Sequence, residues 1–274
     1  MAGWNLKKTA DLPIYQAGTM AWLPGIVQGF TTRRGGVGVA PYDTLNLGLH
    51  CGDATDTVSS NRQSLAAALG ASVDDFVFAE QVHGASVAIV DSPRATPVAG
   101  ADALVTACPG LILTMLFADC MPIYIVDPIK RVAALIHSGW RGTAANIVFE
   151  TTTILRREFG VKPRSCQVAI GPSIGSDNYE VGDDVADNFR TTLASGASTT
   201  VMIRNEMTGT WNLNLRSVAF TQLLTAGYRP DSIAVCDEDT FANKRDFFSH
   251  RRESKLGLKT GRMAAFLGLA DNSP

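Results

Sequence analysis

The sequence predicts an α+β fold, and three observations lead to that class. Short apolar runs bounded by turn residues fill the middle of the chain, which is typical of buried strands. Apolar residues at helical spacing occur in a few separate stretches. The two kinds of segment do not alternate regularly, which argues against a doubly wound parallel sheet.

The predicted elements follow from apolar spacing and from Gly and Pro boundaries. Helices are predicted at residues 57–69, 143–159, 185–193 and 215–226, three of them ending at a glycine. Strands are predicted at residues 76–79, 86–90, 103–106, 111–117, 123–126, 132–136, 166–170 and 232–236. Residues 263–269 fit either type. Residues 31–56 are rich in Gly, Asn and Asp, which predicts a long loop region able to carry function.

Composition excludes several classes of protein. The chain has 274 residues, 46% of them hydrophobic, which excludes disorder as the main state. No linker is visible, so we expect one domain over residues 1–274. The formal net charge of −2 shows no overall excess of positive charge that would attract nucleic acid, and we expect no nucleic-acid partner.

We also expect no membrane association. The longest apolar stretch, residues 111–126, is shorter than a membrane span and is interrupted by Asp119, Cys120 and Pro122. The N-terminal residues have two lysines with no apolar segment behind them, which argues against a secretory signal. We therefore expect a cytoplasmic protein.

The five cysteines are widely spaced and include no CxxC pair. That pattern argues against a disulfide framework and excludes a zinc ribbon or finger, which needs close pairs of ligands. Buried thiols, a catalytic thiol and a metal site built from distant ligands remain as interpretations.

Three candidate metal ligands lie where predicted strands end. His83, Cys120 and His137 each follow an apolar run. If those runs are neighbours in one sheet, the three side chains converge. Two His and one Cys are good zinc ligands, and three protein ligands leave one position open, as in catalytic zinc sites. Two alternatives stay open at this point: a metal-free Cys–His pair oriented by Asp119, and a buried thiol with hydrogen-bonded turn histidines.

A series of motifs in fixed order resembles the YfiH/laccase-domain family, whose bacterial members are also called peptidoglycan editing factor or purine nucleoside phosphorylase. The resemblance extends over about residues 25–270. It rests on TTRRGGVG at 31–38, LNLGLHCGD at 45–53, EQVHG at 80–84, ADALVT at 101–106, ADCMP at 118–122, HSGWRG at 137–142, IGPSIG at 170–175, YEVG at 179–182 and FFSHRR at 247–252.

The resemblance implies a fold, a metal and an activity. The implied fold is a single domain of packed mixed β-sheets flanked by helices. The implied metal is zinc, held by His83, Cys120 and His137, with copper as a substitute. The implied activity is phosphorolysis of adenosine, inosine and methylthioadenosine, together with adenosine deamination. The partners would then be small molecules, a purine nucleoside and phosphate.

Further site residues are predicted for that chemistry. Arg33, Arg141 and Arg251 are candidate phosphate or ribose anchors, because guanidinium groups bind oxyanions bidentately. Asn46, His50 and Gln81 are candidate substrate-binding residues. Asp119, Cys120 and Arg141 form the predicted catalytic set, with Asp119 or Glu80 exchanging protons. His250 is a further candidate, and Trp140 is expected to be a core aromatic rather than a stacking platform.

Other functions remain as alternatives. The name editing factor implies hydrolysis of an amide in a peptidoglycan precursor, a muramic acid nucleotide carrying L-Ser. Polyphenol oxidase chemistry has low weight, since multicopper sites need many His ligands and the chain has four. A non-enzymatic binding module has low weight too, because of the open zinc position. Deamination would need a scaffold other than the HxE and PCxxC pattern, which the sequence lacks.

Overall fold

The structure, a computed structural model, describes residues 3–193 and 201–270. Two six-stranded sheets, one three-stranded sheet and six α-helices form its regular elements in these ranges, which confirms the α+β prediction. The strands are β1 Trp4–Thr9, β2 Leu12–Ala17, β3 Ile26–Thr31, β4 Phe76–Phe78, β5 Val87–Ile89, β6 Ala103–Thr106, β7 Ile112–Phe117, β8 Met121–Asp127, β9 Val132–Ser138, β10 Gln167–Ile170, β11 Glu180–Val181, β12 Met202–Asn205, β13 Thr210–Leu213, β14 Ile233–Val235 and β15 Met263–Leu269. The helices are α1 Thr55–Ala68, α2 Trp140–Ala144, α3 Ile147–Phe159, α4 Asp183–Leu193, α5 Leu215–Thr225 and α6 His250–Ser254.

Both large sheets are mixed. The first has the order β1-β2-β3-β15-β7-β4 and is antiparallel except where β4 pairs with β7. The second has the order β14-β10-β8-β9-β6-β5, with parallel pairs at its two edges. The third sheet, β11-β13-β12, is small and antiparallel. The packed mixed sheets that the family resemblance implied are therefore present.

The two large sheets pack face to face because their strands bury both faces. On β9, Leu135 faces a core shared with Phe117 of the first sheet, while the alternate residue Ile136 packs with Val148 of α3 on the outer face. The outer face of the first sheet packs against α1. Strands buried on both sides read as continuous apolar runs, which is why the sequence predicts them. Each large apolar side chain buried in this way contributes about 1.5–3 kcal/mol.

One predicted helix is divided in two. Residues 143–159 form the end of α2 and the whole of α3, with a break at Asn146. Asn146 adopts a left-handed backbone conformation, with φ of 56°, and its side chain accepts a hydrogen bond from the Phe149 amide. Asn tolerates that conformation and is a favoured N-cap, so the chain turns here and starts a new helix.

The N-terminal strands are missing from the sequence prediction. β1 is mostly exposed and carries two lysines, so it lacks the apolar alternation of a half-buried strand. The ambiguous residues 263–269 form β15, a buried strand in the middle of the first sheet. Within the described ranges, no helix is long and apolar enough to cross a membrane.

Candidate metal centre and its two cavities

His137 lies at the end of β9 and faces the core between the two sheets. It follows Leu135 on the same face of the strand, and its ring packs 5.3 Å from the ring of Phe117. The side chain is buried, and its Nδ1 lies 2.8 Å from the Asp102 carboxylate. This hydrogen bond fixes the ring and leaves Nε2 available to a metal.

Cys120 and His83 lie next to His137. Cys120 precedes β8, and the pairing of Pro122 with His137 places the start of β8 beside the end of β9. His83 comes from the loop between β4 and β5 and has a left-handed backbone, with φ of 61°. One ligand atom from each of the three residues lies within 4.8 Å of the other two, so these residues form a group able to hold a metal ion.

The Asp102 carboxylate holds two residues of this group, His83 and His137, through hydrogen bonds. Its fully buried carboxylate accepts the His137 ring hydrogen and the backbone amides of Val82, His83 and Gly84, at 3.3, 3.0 and 2.7 Å respectively. Burial alone would raise the pKa of Asp102, but these hydrogen bonds outweigh it and lower the pKa. One carboxylate thus fixes two of the three ligand residues, as outer-shell carboxylates do around zinc.

The donor set fits zinc. Burial alone would raise the pKa of the Cys120 thiol, but His137 and His83 outweigh it and lower the pKa to about 6. Burial would likewise lower the pKa of His137, yet Cys120 and Asp102 raise it to about 9. Cys120 is therefore a thiolate at neutral pH, which is the form that binds metals. His137 is protonated at neutral pH without metal, so zinc binding would release its second ring proton. One thiolate and two neutral imidazoles would then leave the fourth tetrahedral position open.

The prediction that one sheet brings the three ligand residues together needs a correction. The strands before the three ligands do not belong to one sheet: β4 and β7 lie side by side in the first sheet, whereas β9 lies in the second. The chain leaves β7 at Phe117 and enters the second sheet at Met121, so Cys120 lies at the crossing point. The ligands meet at the edge of the core between the sheets because both sheets end there.

Two cavities meet at this group. The larger has a volume of about 630 Å³ and the smaller about 270 Å³. Both are lined by His83, Ala118, Cys120 and His250. The larger cleft is also lined by Leu49, His50, Arg62, Phe78, Ala79, Glu80, Gln81, Arg94, Ala95, Thr96, Pro97, Leu116, His137 and Arg262, and the smaller cavity by Asp119, Gly139, Trp140, Arg141, Ile174, Tyr179, Leu215 and Arg251.

Asp119 binds protein groups with both carboxylate oxygens. Thr240 Oγ1 donates to one oxygen at 2.7 Å, and Ser249 Oγ and the Arg251 amide donate to the other at 2.9 and 2.6 Å. Burial raises the pKa of Asp119, and these hydrogen bonds oppose the rise. The carboxylate therefore holds the start of α6 against the metal centre, and this network engages both of the oxygens that a proton-exchange role would use.

Arg141 and Arg251 both line the smaller cavity. The guanidinium of Arg141 lies 4.3 Å from the ring centre of Trp140, and among the described residues it has no carboxylate partner. Arg251 donates from Nη1 to the Glu180 carbonyl and lies 5.0 Å from the ring centre of Tyr179. Trp140 packs, as expected, against the helix-side core, which is the apolar cluster between the second sheet and helices such as α3 and α5. It also forms part of the wall of the smaller cavity.

Three residues predicted to bind substrate form hydrogen bonds within the protein instead. Arg33 donates to the backbone carbonyl and carboxylate of Asp43, and it lines neither cavity. Asn46 is fully buried and bonds Asp53 together with the amides of Gly48 and Arg262. Gln81 lines the larger cleft, but both ends of its amide bond the backbone of Leu116.

His50, His250 and Glu80 are exposed residues at the cavities. His50 and Glu80 line the larger cleft, and His250 lies on the wall that both cavities share. Burial lowers the pKa of His50, and Arg262 and Arg62 lower it further. His50 is thus held mostly in its neutral form at neutral pH.

Sequence reasoning missed Asp102, Tyr179 and the arginines of the larger cleft. Arg62 stacks 3.9 Å from the ring centre of Phe78 and donates to the Leu47 carbonyl, and burial lowers its pKa to about 10. Asp102 lies inside the ADALVT motif, but nothing in the spacing links it to His137. Only the three-dimensional pairing of β6 with β9 brings them together.

Comparison with known proteins places this site in a family. The sequence model described as multi-copper polyphenol oxidoreductase laccase matches residues 27–270. The purine nucleoside phosphorylase YlmD of Geobacillus stearothermophilus is 38% identical over 270 residues, covering 93% of this chain and 97% of that protein. The chain belongs to the YfiH/laccase-domain family. The family resemblance read from the motifs is confirmed.

Solved structures of the family share the fold. The crystal structure of YlmD from Geobacillus stearothermophilus matches with a TM-score of 0.90 at 37% identity, covering 97% of this chain and 99% of that one. The YfiH protein of Bacillus licheniformis matches with a TM-score of 0.87 at 32% identity, covering 97% and 98%. A multi-copper site needs several groups of ligands, whereas the described residues include one group of three side chains that could hold a metal ion.

Proposed function

We propose that this chain is a zinc-dependent purine nucleoside phosphorylase acting on adenosine, inosine and methylthioadenosine. The observation that carries the proposal is the position of the His83–Cys120–His137 group at the junction of two cavities of unequal size. A phosphorolytic enzyme must bring a nucleoside and a phosphate together at one carbon atom. The names of the relatives support the same reaction class.

The larger cleft suits the nucleoside. Its volume of about 630 Å³ lies within the range of ligand pockets for small molecules. Phe78, Pro97 and Leu116 supply apolar wall for a purine, and polar groups such as Glu80 and Thr96 are available to ribose hydroxyls or base nitrogens. A mixture of apolar wall and few polar groups is typical of sites that orient a small ligand.

The smaller cavity suits the phosphate. Its volume of about 270 Å³ is below the usual range for drug-sized ligands, and Arg141 and Arg251 line it. Guanidinium groups bind phosphate oxygens with charge-assisted hydrogen bonds. A phosphate held there would face the larger cleft across the shared wall, where the ribose carbon would lie.

The residues of the chain divide the chemistry between them. Cleavage of an N-glycosidic bond develops positive charge on the ribose, which the phosphate oxygens held by Arg141 and Arg251 would stabilise. His250, on the shared wall, and Glu80 line the larger cleft and would exchange a proton with the leaving base. Zinc bound by His83, Cys120 and His137 would supply Lewis-acid chemistry at its open position. Asp102 would orient the ligands, and Asp119 would position α6.

Product analysis tests the proposal. The purified, zinc-loaded protein is incubated with adenosine, with and without phosphate. We expect adenine and ribose 1-phosphate only when phosphate is present. Inosine formed without phosphate would indicate deamination instead. No reaction in either condition would contradict phosphorolysis, and incubation with a muramic acid nucleotide carrying L-Ser would then test the editing amidase.

A matched pair of arginine variants tests the assignment of the phosphate. Arg141→Ala removes a guanidinium from the smaller cavity, and we expect a higher KM for phosphate, because a charge-assisted hydrogen bond is lost. Arg131→Ala is the control, since Arg131 donates to the Ala270 carbonyl and lines neither cavity. Equal KM values for phosphate in both variants would contradict the assignment.

A further inference from the structure

Tyr179 lines the smaller cavity, and no described residue forms a hydrogen bond with its hydroxyl. The residue is 9% exposed and lines the smaller cavity. None of the described residues donates to or accepts from its hydroxyl, and the hydroxyl is not among the buried polar atoms that lack a partner, so it is accessible from the cavity. By contrast, the hydroxyls of Tyr15, Tyr124 and Tyr228 all have protein partners. The hydroxyl of Tyr179 is thus a donor that is available to a molecule in the smaller cavity.

Arg141 and Arg251 line the smaller cavity together with Tyr179 and supply positive charge there. The negative groups of the same cavity are Asp119, which accepts three protein hydrogen bonds, and Cys120, which belongs to the candidate metal group. Arg251 lies 5.0 Å from the centre of the Tyr179 ring and lines the cavity as well. A phenol donor and two guanidinium groups in one small cavity match the acceptor oxygens of a phosphate.

The ring is held firmly enough to act as a fixed donor. The Tyr179 amide donates to the Ser176 carbonyl, and its own carbonyl accepts from the Leu213 amide. The side chain packs in the helix-side core. Burial raises the pKa of Tyr179, so the hydroxyl keeps its proton throughout the physiological range and serves as a donor. A preorganised donor binds an anion without the cost of ordering a side chain.

We propose that the Tyr179 hydroxyl donates a hydrogen bond to the phosphate in the smaller cavity, as a third anchor beside Arg141 and Arg251. This inference rests on the proposed function for the identity of the anion. It goes beyond that proposal by assigning a substrate-binding role to a residue outside the predicted site set. It also predicts that loss of the Tyr179 hydroxyl oxygen weakens phosphate binding and leaves nucleoside binding unchanged.

Calorimetric titration of the purified protein with inorganic phosphate tests this inference directly. In Tyr179→Phe we expect phosphate to bind about 10-fold more weakly than in the wild type, the effect of losing one hydrogen bond to a charged group. Tyr228→Phe is the matched control, because Tyr228 is also a buried tyrosine but bonds Thr152 and lines neither cavity. We expect its phosphate affinity to match the wild type.

Thermal unfolding provides a second readout that also reports on folding. Phosphate should raise the Tm of the wild type and of Tyr228→Phe, and should raise that of Tyr179→Phe less. Equal phosphate affinity in Tyr179→Phe and the wild type, or no phosphate binding by the wild type, would overturn the inference. The adenosine assay of the wild type separates the two proposals. Weaker phosphate binding by Tyr179→Phe, with no phosphorolysis by the wild type, would retain the anion site and reject the function.

Discussion

Replacement of Asp102 by Asn should disturb the metal centre without touching a ligand. The carboxylate uses one oxygen for the His137 ring and the His83 amide, and the other for the amides of Val82 and Gly84. Asn has one acceptor oxygen, so in either orientation its NH₂ group faces two donors that are buried or partly buried. Leaving two donors unsatisfied costs about 2–6 kcal/mol of the free energy of unfolding, at about 1–3 kcal/mol each.

The effect on zinc follows from the same geometry. Loss of an outer-shell partner of a metal-binding His typically costs about 10–100-fold in metal affinity. We expect Asp102→Asn to bind zinc more weakly by that factor, or about 1.4–2.8 kcal/mol. Competition titration against a chromophoric chelator measures the affinity, and chemical denaturation of the metal-free protein measures stability.

Asp127→Asn is the matched control. Asp127 is also buried and accepts from the amides of Ile129 and Lys130 and from the Ser165 hydroxyl. It lies at the other end of β8 from the metal group. We expect this variant to lose stability and to keep its zinc affinity. A folded Asp102→Asn protein that binds zinc as tightly as the wild type would refute the role given to Asp102.

Three further predictions concern the groups around the centre. In the metal-free protein, alkylation of Cys120 should fall to half its maximal rate near pH 6, since the thiol is protonated below its pKa, while the buried Cys236, whose pKa is raised to about 12, should stay unmodified. Peptide mass spectrometry measures both cysteines, and a midpoint near pH 9 for Cys120 would contradict the lowered pKa. Gly139→Ala should weaken zinc binding by about 1–3 kcal/mol, because the new Cβ would lie 3.1 Å from Cys120 Sγ and 3.2 Å from His83 Cδ2. Unchanged zinc affinity in the chelator competition would contradict this steric effect. Asp119→Asn should lower the free energy of unfolding by about 1–3 kcal/mol, because its carboxylate accepts three hydrogen bonds; a denaturation midpoint equal to the wild type would argue against this positioning role.

The sequence predicts the buried elements well because apolar runs report burial on both faces. Most of the strands of the second sheet appear as uninterrupted apolar segments, and the glycine after α3 marks its end. β1 has no such signal, since it is an exposed edge strand. The break at Asn146 depends on a single left-handed residue, and the apolar spacing on either side continues through it.

The site was predictable in its ligands and less so in its supporting residues. His83, Cys120 and His137 stand out because these residue types are scarce and lie at strand ends. The sequence predicts their convergence on the condition that one sheet holds the preceding strands, whereas these strands belong to two sheets. Asp102 gives no signal, because a buried carboxylate within a strand region is recognised only by its partners. Arg33, a predicted phosphate or ribose anchor, donates to Asp43 and lines neither cavity.

Metal analysis of the purified protein tests the central claim most directly. The wild type and the two variants Cys120→Ala and His137→Ala are equilibrated with zinc, freed of excess ion and analysed by mass spectrometry for metal content, with circular dichroism as the check on folding. We predict one zinc ion per chain in the wild type, because the described residues hold one such ligand group, and none in either folded variant. Full zinc occupancy in either variant would contradict the His83–Cys120–His137 centre.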